Sequence, residues 1–431
     1  MQGEIPVKQG LLNVFLSFGV LVLGSLAGCS QPANVTLGSG SSRDDPAAPP
    51  EVVRLEFLQQ KREQVEAFNA LIAKFQAEYP HIVVEQVSVP DGQQVLQTKI
   101  ANDNPPDLFT HFPTNANFKL LAQRGYVMEL TDDPMLEHVS DDILSDYAIE
   151  GKQYLLPLTL NTTGVFYNKA IFETHRLAIP RTYEDFMDIC QTLQEANVVP
   201  LLFSDHDENT IGHQAKIFFI NHSSNRDDMF VDAMNGVRRL SEHPDMREIA
   251  EKLLQIRAYG QPHRLQTSYE AALRGFAEGE GAMYITGNWA IPLIRKENPS
   301  LRFGMFPLPA ERAEDTRVIA GIDSAIAIAS GSRHPEEALT FLRFMARVEN
   351  AQLFSDLDAG APSAFTNVRS GESEEIELMM DMIRAGKNIS WPNARWKSGM
   401  MEDERIALQN LVATKDVDRF LREIDEIFYE K

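Results

Sequence analysis

Three tryptophans, Trp289, Trp391 and Trp396, are the only indoles in a chain of 431 residues, and each stands near amide or guanidinium groups. Asn288 precedes the first, and Pro392-Asn393-Ala394-Arg395 separates the other two. The electron-rich face of an indole stacks on the C–H face of a pyranose, while Asn, Asp and Arg side chains reach ring hydroxyls, so this grouping suits a polar, ring-shaped ligand. A tryptophan after a strand serves a packed core equally well, and for Trp391 and Trp396 both uses stay open. Gln60 after the first strand and Asp323 after Ala320-Gly321 occupy strand ends near a crevice, where surface or hinge roles outweigh a cleft role, and His111 follows a later strand. Asp205-His206-Asp207-Glu208 with His213 collects metal-ligand side chains, but the spacing is neither HExxH nor another zinc pattern, and a solvated loop explains it. No metal or other cofactor is expected. Carboxylates are numerous enough for a pair about 5 to 9 Å apart, the separation used in glycoside hydrolysis. A secreted glycosidase is therefore one rival function, although no pattern singles out the pair. A binding protein for a cationic or phosphorylated solute, drawn by the acidic excess or by Arg395, is the other.

These side chains need elements to hold them. Tyr269, Ala272, Leu273 and Phe276 fall at i, i+3, i+4 and i+7, one apolar face of a short helix, and Gly279 with Gly281 supply the turn that ends it. Ala282 to Ile285 then reads as a short strand buried on both faces, as in an α/β sheet, with Thr286-Gly287-Asn288-Trp289 at its carboxyl end. In open α/β sheets the ligand crevice lies outside the carboxyl ends of strands, which puts Asn288 and Trp289 over it. Val52 to Leu58 is a strand, and Val65, Phe68, Ile72, Phe75 and Tyr79 line one helical face that Pro80 ends. Ile82 and Val84 alternate with polar neighbours, giving strand, helix, strand and so a parallel sheet. Leu108-Phe109 is a further strand with Thr110, His111 and Phe112 at its end, over the same crevice. Thr182 with Asp185 forms a capping pair ahead of the stripe Phe186, Ile189, Cys190 and Leu193, which assigns Cys190 to a core rather than to catalysis. Pro335 suits a first helical position, and Val417, Phe420, Leu421 and Ile424 give the face of the last helix.

The net charge of −22 leaves no basic face for nucleic acid and fits a protein dispersed outside the cell. Two cysteines, Cys29 and Cys190, make no disulfide framework or metal spacing. Residues 1–28 read as a leader: Lys8, an apolar run from Leu11 to Leu26, then Ala27-Gly28-Cys29. The LAGC run resembles the lipobox of bacterial lipoproteins, in which cleavage precedes the Cys and its thiol carries diacylglycerol. Residues 29–50, rich in Ser, Gly, Ala and Pro, read as a solvated tether between that anchor and the folded body.

The segment from Gly151 through Leu155-Leu156-Pro157 to Phe166-Tyr167-Asn168-Lys169 and Ile171-Phe172 resembles the G…LP…YYNKxxF run of the family 1 extracellular solute-binding proteins of ABC transporters, the group that includes maltose-binding protein. Pro180-Arg181-Thr182-Tyr183-Glu184-Asp185-Phe186, the GAMYITGNW run ending at Trp289, His334-Pro335-Glu336-Glu337-Ala338 and Gly360-Ala361-Pro362 resemble later family segments in the same order. Tyr183, where the family often has Trp, and the Arg- and Trp-rich run 389–396 depart from it. The resemblance implies a type II periplasmic-binding-protein-like α/β fold of two lobes, each a sheet flanked by helices, with a ligand cleft between them. It implies crossings near Thr159-Leu160, near Ala320-Gly321 and after Pro362, so that residues 51–159 with 321–365 make one lobe and 160–320 with 366–431 the other. The ligand-binding set expected is Trp289, Asn288, His111, Asn161, Asp323, Gln60, Trp391 and Arg395, with Trp289 favoured as a ligand contact over a core residue. The implied protein is not an enzyme. It is a monomer held to the outer face of the cell membrane (periplasmic in a double-membrane organism) by lipid at Cys29, passing a mono- or oligosaccharide to permease subunits.

Overall fold

The computed structural model describes residues 52–429 apart from 90–91, 114, 225–227, 359 and 370–373. The expected leader, Cys29 and the tether lie outside the described residues. Nine strands are present among those described: β1 (Val53–Gln59), β2 (Ile82–Ser88), β3 (Leu108–Thr110), β4 (Leu156–Asn168), β5 (Leu201–Leu202), β6 (Met283–Gly287), β7 (Phe303–Phe306), β8 (Val318–Ile328) and β9 (Asn388–Ile389). β1 and β2 pair in parallel from Val53 opposite Ile82 to Gln59 opposite Ser88. Their crossover helix, Val65–Glu78, buries Phe68, Ile72 and Phe75 of the stripe that its apolar spacing predicts, together with Ala67 and Leu71, while Val65 and Tyr79 stand at its ends partly exposed. β3 adds parallel to β1, and β8 then pairs antiparallel with β3.

Two long strands tie the halves of the molecule together. β4 runs antiparallel to β8 from Leu156 opposite Ile326 to Thr163 opposite Ile319, with shifts in register on either side of Thr159. Farther along, β4 leaves β8 for β6 and β7, matching Phe166 with Tyr284 and with Met305. β5 lies parallel to β6, and β9 parallel to the start of β8. The apolar clusters divide in the same places. Two of them draw on Leu55 to Leu158 and Ile322 to Val368, and centre on Phe57, Phe68, Phe75 and Phe341 on one face and Phe109 and Phe118 on the other. The other two draw on Val165 to Ile319 and on residues from Ile376 onward, including Phe186, Cys190, Phe218, Phe276, Tyr284 and Phe420. The molecule is thus a two-lobed α/β fold, each lobe a sheet flanked by helices.

β6 is fully buried as read, but it extends to Gly287 rather than ending at Ile285. Pairing of Thr163 with Gly287 and of Gly164 with Thr286 prolongs it. Its preceding helix, Tyr269–Glu278, ends on Gly279, whose φ of +79° is the left-handed cap that glycine favours. The capping box is complete: Thr182 accepts from the Asp185 backbone, while the Asp185 carboxylate accepts from the Thr182 N–H. Burial pushes the Cys190 thiol up to about 12, which makes it an inert core side chain.

Candidate ligand-binding site

Between the lobes lies a cavity of about 500 Å³, within the range of small-molecule sites. From the first lobe it receives Gln60, Lys61 and Glu63 after β1, and Phe112 and Asn115 after β3. From the second come Trp289 after β6, Asn209, His213 and Lys216 of the helix Glu208–Asn221, Trp391 and Asn393 after β9, and Met401 and Arg405 of the helix Met400–Thr414. Asn161 of β4 and Asp323 of β8 form its floor, on the strands that join the lobes.

Aromatic rings dominate one wall. The His213 imidazole stands edge-on to both Trp289 and Trp391, with ring centres 5.1 and 5.4 Å away, and the two indoles are 6.4 Å apart at 32°. Gly287 makes the placement of Trp289 possible: a Cβ there would stand 2.1 to 2.3 Å from the indole, so the ring folds back over the bare glycine backbone. The indole N–H of Trp391 donates to Asn161 Oδ1 at 2.9 Å, leaving its ring face as the part that is offered. Asn161 in turn donates to Asp323 Oδ1 at 3.4 Å, and Asp323 Oδ2 meets Lys61 Nζ at 2.5 Å. This relay crosses the floor from one lobe to the other. Gln60 is fixed by donating from Nε2 to the Thr110 carbonyl at 2.7 Å.

Electrostatics separates the two sides. Burial first, then the nearby Arg405 and Lys216 charges, hold the His213 imidazole well below its usual range, so it is neutral and offers one donor and one acceptor. Lys216 is lowered by burial and partly restored by Glu404, which it meets at 3.0 Å inside the protein. Burial raises the Glu63 carboxyl across the cavity.

The expected site residues divide. Trp289, Asn161, Asp323, Gln60 and Trp391 all reach the cavity. Asn288 does not line it: wholly buried, its Oδ1 accepts from Thr162 N at 2.8 Å and its Nδ2 donates to the carbonyls of Gly360 at 2.5 Å and Leu160 at 3.3 Å. Its amide is consumed in stapling β4 to the 360 turn. His111 is also withdrawn, packed against Phe109 and Phe118, with Nδ1 at 3.1 Å from the Phe112 carbonyl and burial lowering it to about 4. Arg395 points outward to Asp228 at 3.0 Å, and Trp396 packs on Phe230 and Phe428 in the core. The acidic run 205–208 is a solvated loop only in part: His206 and Glu208 are exposed. Asp205 is buried in an ion pair with Arg257 at 3.1 Å, and Asp207 caps the helix that carries His213. Among the described residues no group of three or more His, Cys, Asp or Glu is placed to hold a metal ion. Lys61, Glu63, Asn115, Asn209, His213, Lys216 and Arg405 were not singled out from sequence as cavity residues. For His213 a signal existed: Asp207, an N-cap residue type, followed by apolar positions at helical spacing.

A cleft between two α/β lobes, floored by their joining strands and walled by indoles, is the architecture of a solute receptor. Residues 61–352 match the family described as bacterial extracellular solute-binding protein, and the chain belongs to that family. A multiple sugar-binding protein of Streptococcus mutans is 27% identical over 421 residues, spanning 95% of this chain and 94% of its own length. A melibiose/raffinose/stachyose-binding protein of Bacillus subtilis is 24% identical over 71% of this chain and 72% of its own. Among solved structures, RafE in complex with raffinose superposes with a TM-score of 0.80 at 25% identity, over 88% of this chain and 99% of RafE. A sugar transporter of Bacillus licheniformis in complex with stachyose, 20% identical, shares the fold with a TM-score of 0.72, over 87% of this chain and 99% of that one. The two-lobed fold and the family resemblance read from the sequence both hold. Among the described residues no helix is long and apolar enough to cross a membrane.

Proposed function

We propose that this chain is the receptor of an ABC importer, that it captures a mono- or oligosaccharide in the interlobe cavity, and that it delivers the sugar to permease subunits. The observation that carries this reading is the Trp289–His213–Trp391 wall facing a floor and rim of amide side chains. Indole faces match the C–H faces of pyranose rings, and Asn161, Asn115, Asn209 and Asn393 supply donors and acceptors for hydroxyls. The names borne by the relatives point to the same ligand class. Two further elements complete the proposal. Residues 51–159 with 321–365 and residues 160–320 with 366–431 act as separate bodies that close on the sugar, and Cys29 carries lipid that keeps the protein at the outer face of the membrane. Two or three acyl chains hold firmly where one binds only marginally, so Cys29→Ala protein should leave the membrane fraction after a salt wash; retention there contradicts the anchor.

The sugar itself is released unchanged. Of the two carboxylates among the described residues that line the cavity, Asp323 is held by Lys61 and Glu63 is raised by burial. Calorimetric titration with raffinose, maltotriose, xylotriose and galactose, set against amino acids and polyamines, tests the reading. Saturable binding of at least one saccharide with no cleavage products is the expected result. Binding confined to the non-sugar solutes overturns the ligand class, and release of reducing sugar shifts the reading to a hydrolase.

A further inference from the structure

The charges that border the cavity do not balance where Arg405 stands. Lys61 is matched by Asp323 at 2.5 Å, and Lys216 by Glu404 at 3.0 Å. Arg405 is different. Among the described residues it forms no ion pair; its Nε is buried without a hydrogen-bond partner, and its one bond runs from an outer nitrogen to the Met401 sulfur at 3.5 Å. A guanidinium has five donors in a planar fork, and a thioether is a weak acceptor for any of them. Glu404, the carboxylate buried behind this wall, is already taken by Lys216; Glu402 also acts on Lys216 but lies exposed, where solvent screens it, so among the described buried groups two cations share one anion. The stem of Arg405 lies against Gly212, next to the imidazole that joins the two indoles. His213 is neutral, and the other polar groups that line this side, Asn209 and Asn393, carry no charge.

Resting on the saccharide reading above, we propose that Arg405 is the receptor for a carboxylate on the sugar, and that the cavity selects oligosaccharides containing a uronic acid residue. A ring stacked on the Trp289–Trp391 wall borders the guanidinium, whose parallel N–H groups fit the two oxygens of a carboxylate. The one positive charge left over among the buried groups of this wall, with Glu402 exposed to solvent beyond it, matches a monoanion. A phosphate, with a charge near −2 at neutral pH, would leave a surplus negative charge beside the buried Glu404. On the opposite wall Lys61 is already paired with Asp323, so the cation available to an anion lies on the Arg405 side, which fixes the direction in which such a sugar lies.

The test uses the full chain in detergent and matched saccharide pairs: xylotriose with and without a methylglucuronic acid branch, galactotriose against trigalacturonate, and maltotriose against its 6-phosphate. Affinities are measured by calorimetry at low and high salt. The tightest ligand should be a uronate, favoured over its neutral partner by at least about tenfold, the scale of a charge-assisted bidentate contact. That preference should shrink with added salt. In Arg405→Gln the uronate-to-neutral ratio should fall to near one, and Arg405→Lys should restore part of it, since it returns the charge without the fork. Thermal melting of each variant confirms folding. Neutral members binding as tightly as their uronates overturns the inference and leaves the saccharide reading standing. Survival of the preference in Arg405→Gln overturns the assignment to this residue, and tighter binding of the phosphate overturns the carboxylate. Failure of every saccharide, with another solute bound, removes the underlying reading instead.

Discussion

Trp289 shows how little separates a core residue from a ligand contact. It is partly buried, packs against apolar clusters on both sides of β6, and still lines the cavity. Stacking on a sugar is worth ~0.5 to 1.5 kcal/mol beyond the area it buries, so Trp289→Ala should weaken saccharide binding by about tenfold or more. Its loss of stability should stay below the roughly 3 to 5 kcal/mol typical of truncating a fully buried aromatic. Titration calorimetry and thermal melting on this one variant decide the point: a large drop in melting temperature with unchanged affinity means that the indole is a core side chain only. Asp358 carries a second prediction at this scale. Burial, with Asp323 next in importance, lifts its carboxyl from 3.8 to about 7 against the opposing pull of Lys61 and of Gln64, which donates to it at 2.6 Å; Glu63 adds to the rise. The native state therefore holds a proton that the unfolded chain has released between pH 4 and 7, and in this window the contribution of Asp358 to stability declines as pH rises. Asp358→Asn keeps a neutral side chain of the same shape. Urea unfolding at pH 5 and pH 8 should show the variant gaining on the parent at the higher pH, and a pH-independent difference would refute the account.

At the scale of elements, β6 and its turn depend on Gly287 for room rather than for conformation, since its φ of −102° and ψ of 167° are open to any residue. Gly287→Ala would drive its methyl into the Trp289 ring, which can swing away at the expense of the binding wall. The variant should lose affinity on the scale of Trp289→Ala, yet have little further effect when Trp289 is already alanine, because the two changes act through one ring. A full loss in the double variant would mean that Gly287 acts by another route. Local elements such as this were legible in the sequence because their causes are local: the capping box at Thr182 and Asp185, the Gly279 cap, and the stripe from Phe186 to Leu193 each lie within a few residues. The cavity wall was legible only in part. A strand end tells where the backbone arrives but not what a side chain will find there, so Asn288 went to backbone groups near residues 160 and 360 and His111 into a core. Lys216 and Arg405 sit on helices whose charged residues look alike in sequence. The pairing of Lys216 with Glu404, 188 positions away, decides which cation is satisfied and which is not.

For the molecule as a whole, the described contacts between the proposed lobes fall into two sets: buried ones beside the joining strands, such as Asn161 to Asp323 and Asn288 to the Gly360 carbonyl, and others at the rim. Arg62 meets Glu270 at 2.8 Å, Lys119 donates to the Ala394 carbonyl at 2.7 Å, and Ser398 donates to Asn117. The Arg62–Glu270 pair is exposed on both sides, and such pairs contribute about 1 kcal/mol or less. On the proposed division the lobes are joined covalently through β4, through β8 and by the chain after Pro362, and the pairing of β4 with β8 shifts register beside Thr159. If the proposed lobes move as separate bodies, weak rim contacts let a ligand that touches both walls shift a balance between open and closed forms. Small-angle scattering should then show a smaller radius of gyration when a saccharide saturates the protein. Arg62→Ala combined with Lys119→Ala removes rim contacts without touching the indole wall. In that variant the free protein should be more expanded and the apparent affinity lower by the factor through which the closed fraction falls, while the saturated form keeps the parent's dimensions. An unchanged radius on saturation of the parent protein contradicts closure itself. Lost affinity in the variant with no expansion of its free form would show that the rim contacts act on the ligand directly, without the hinge.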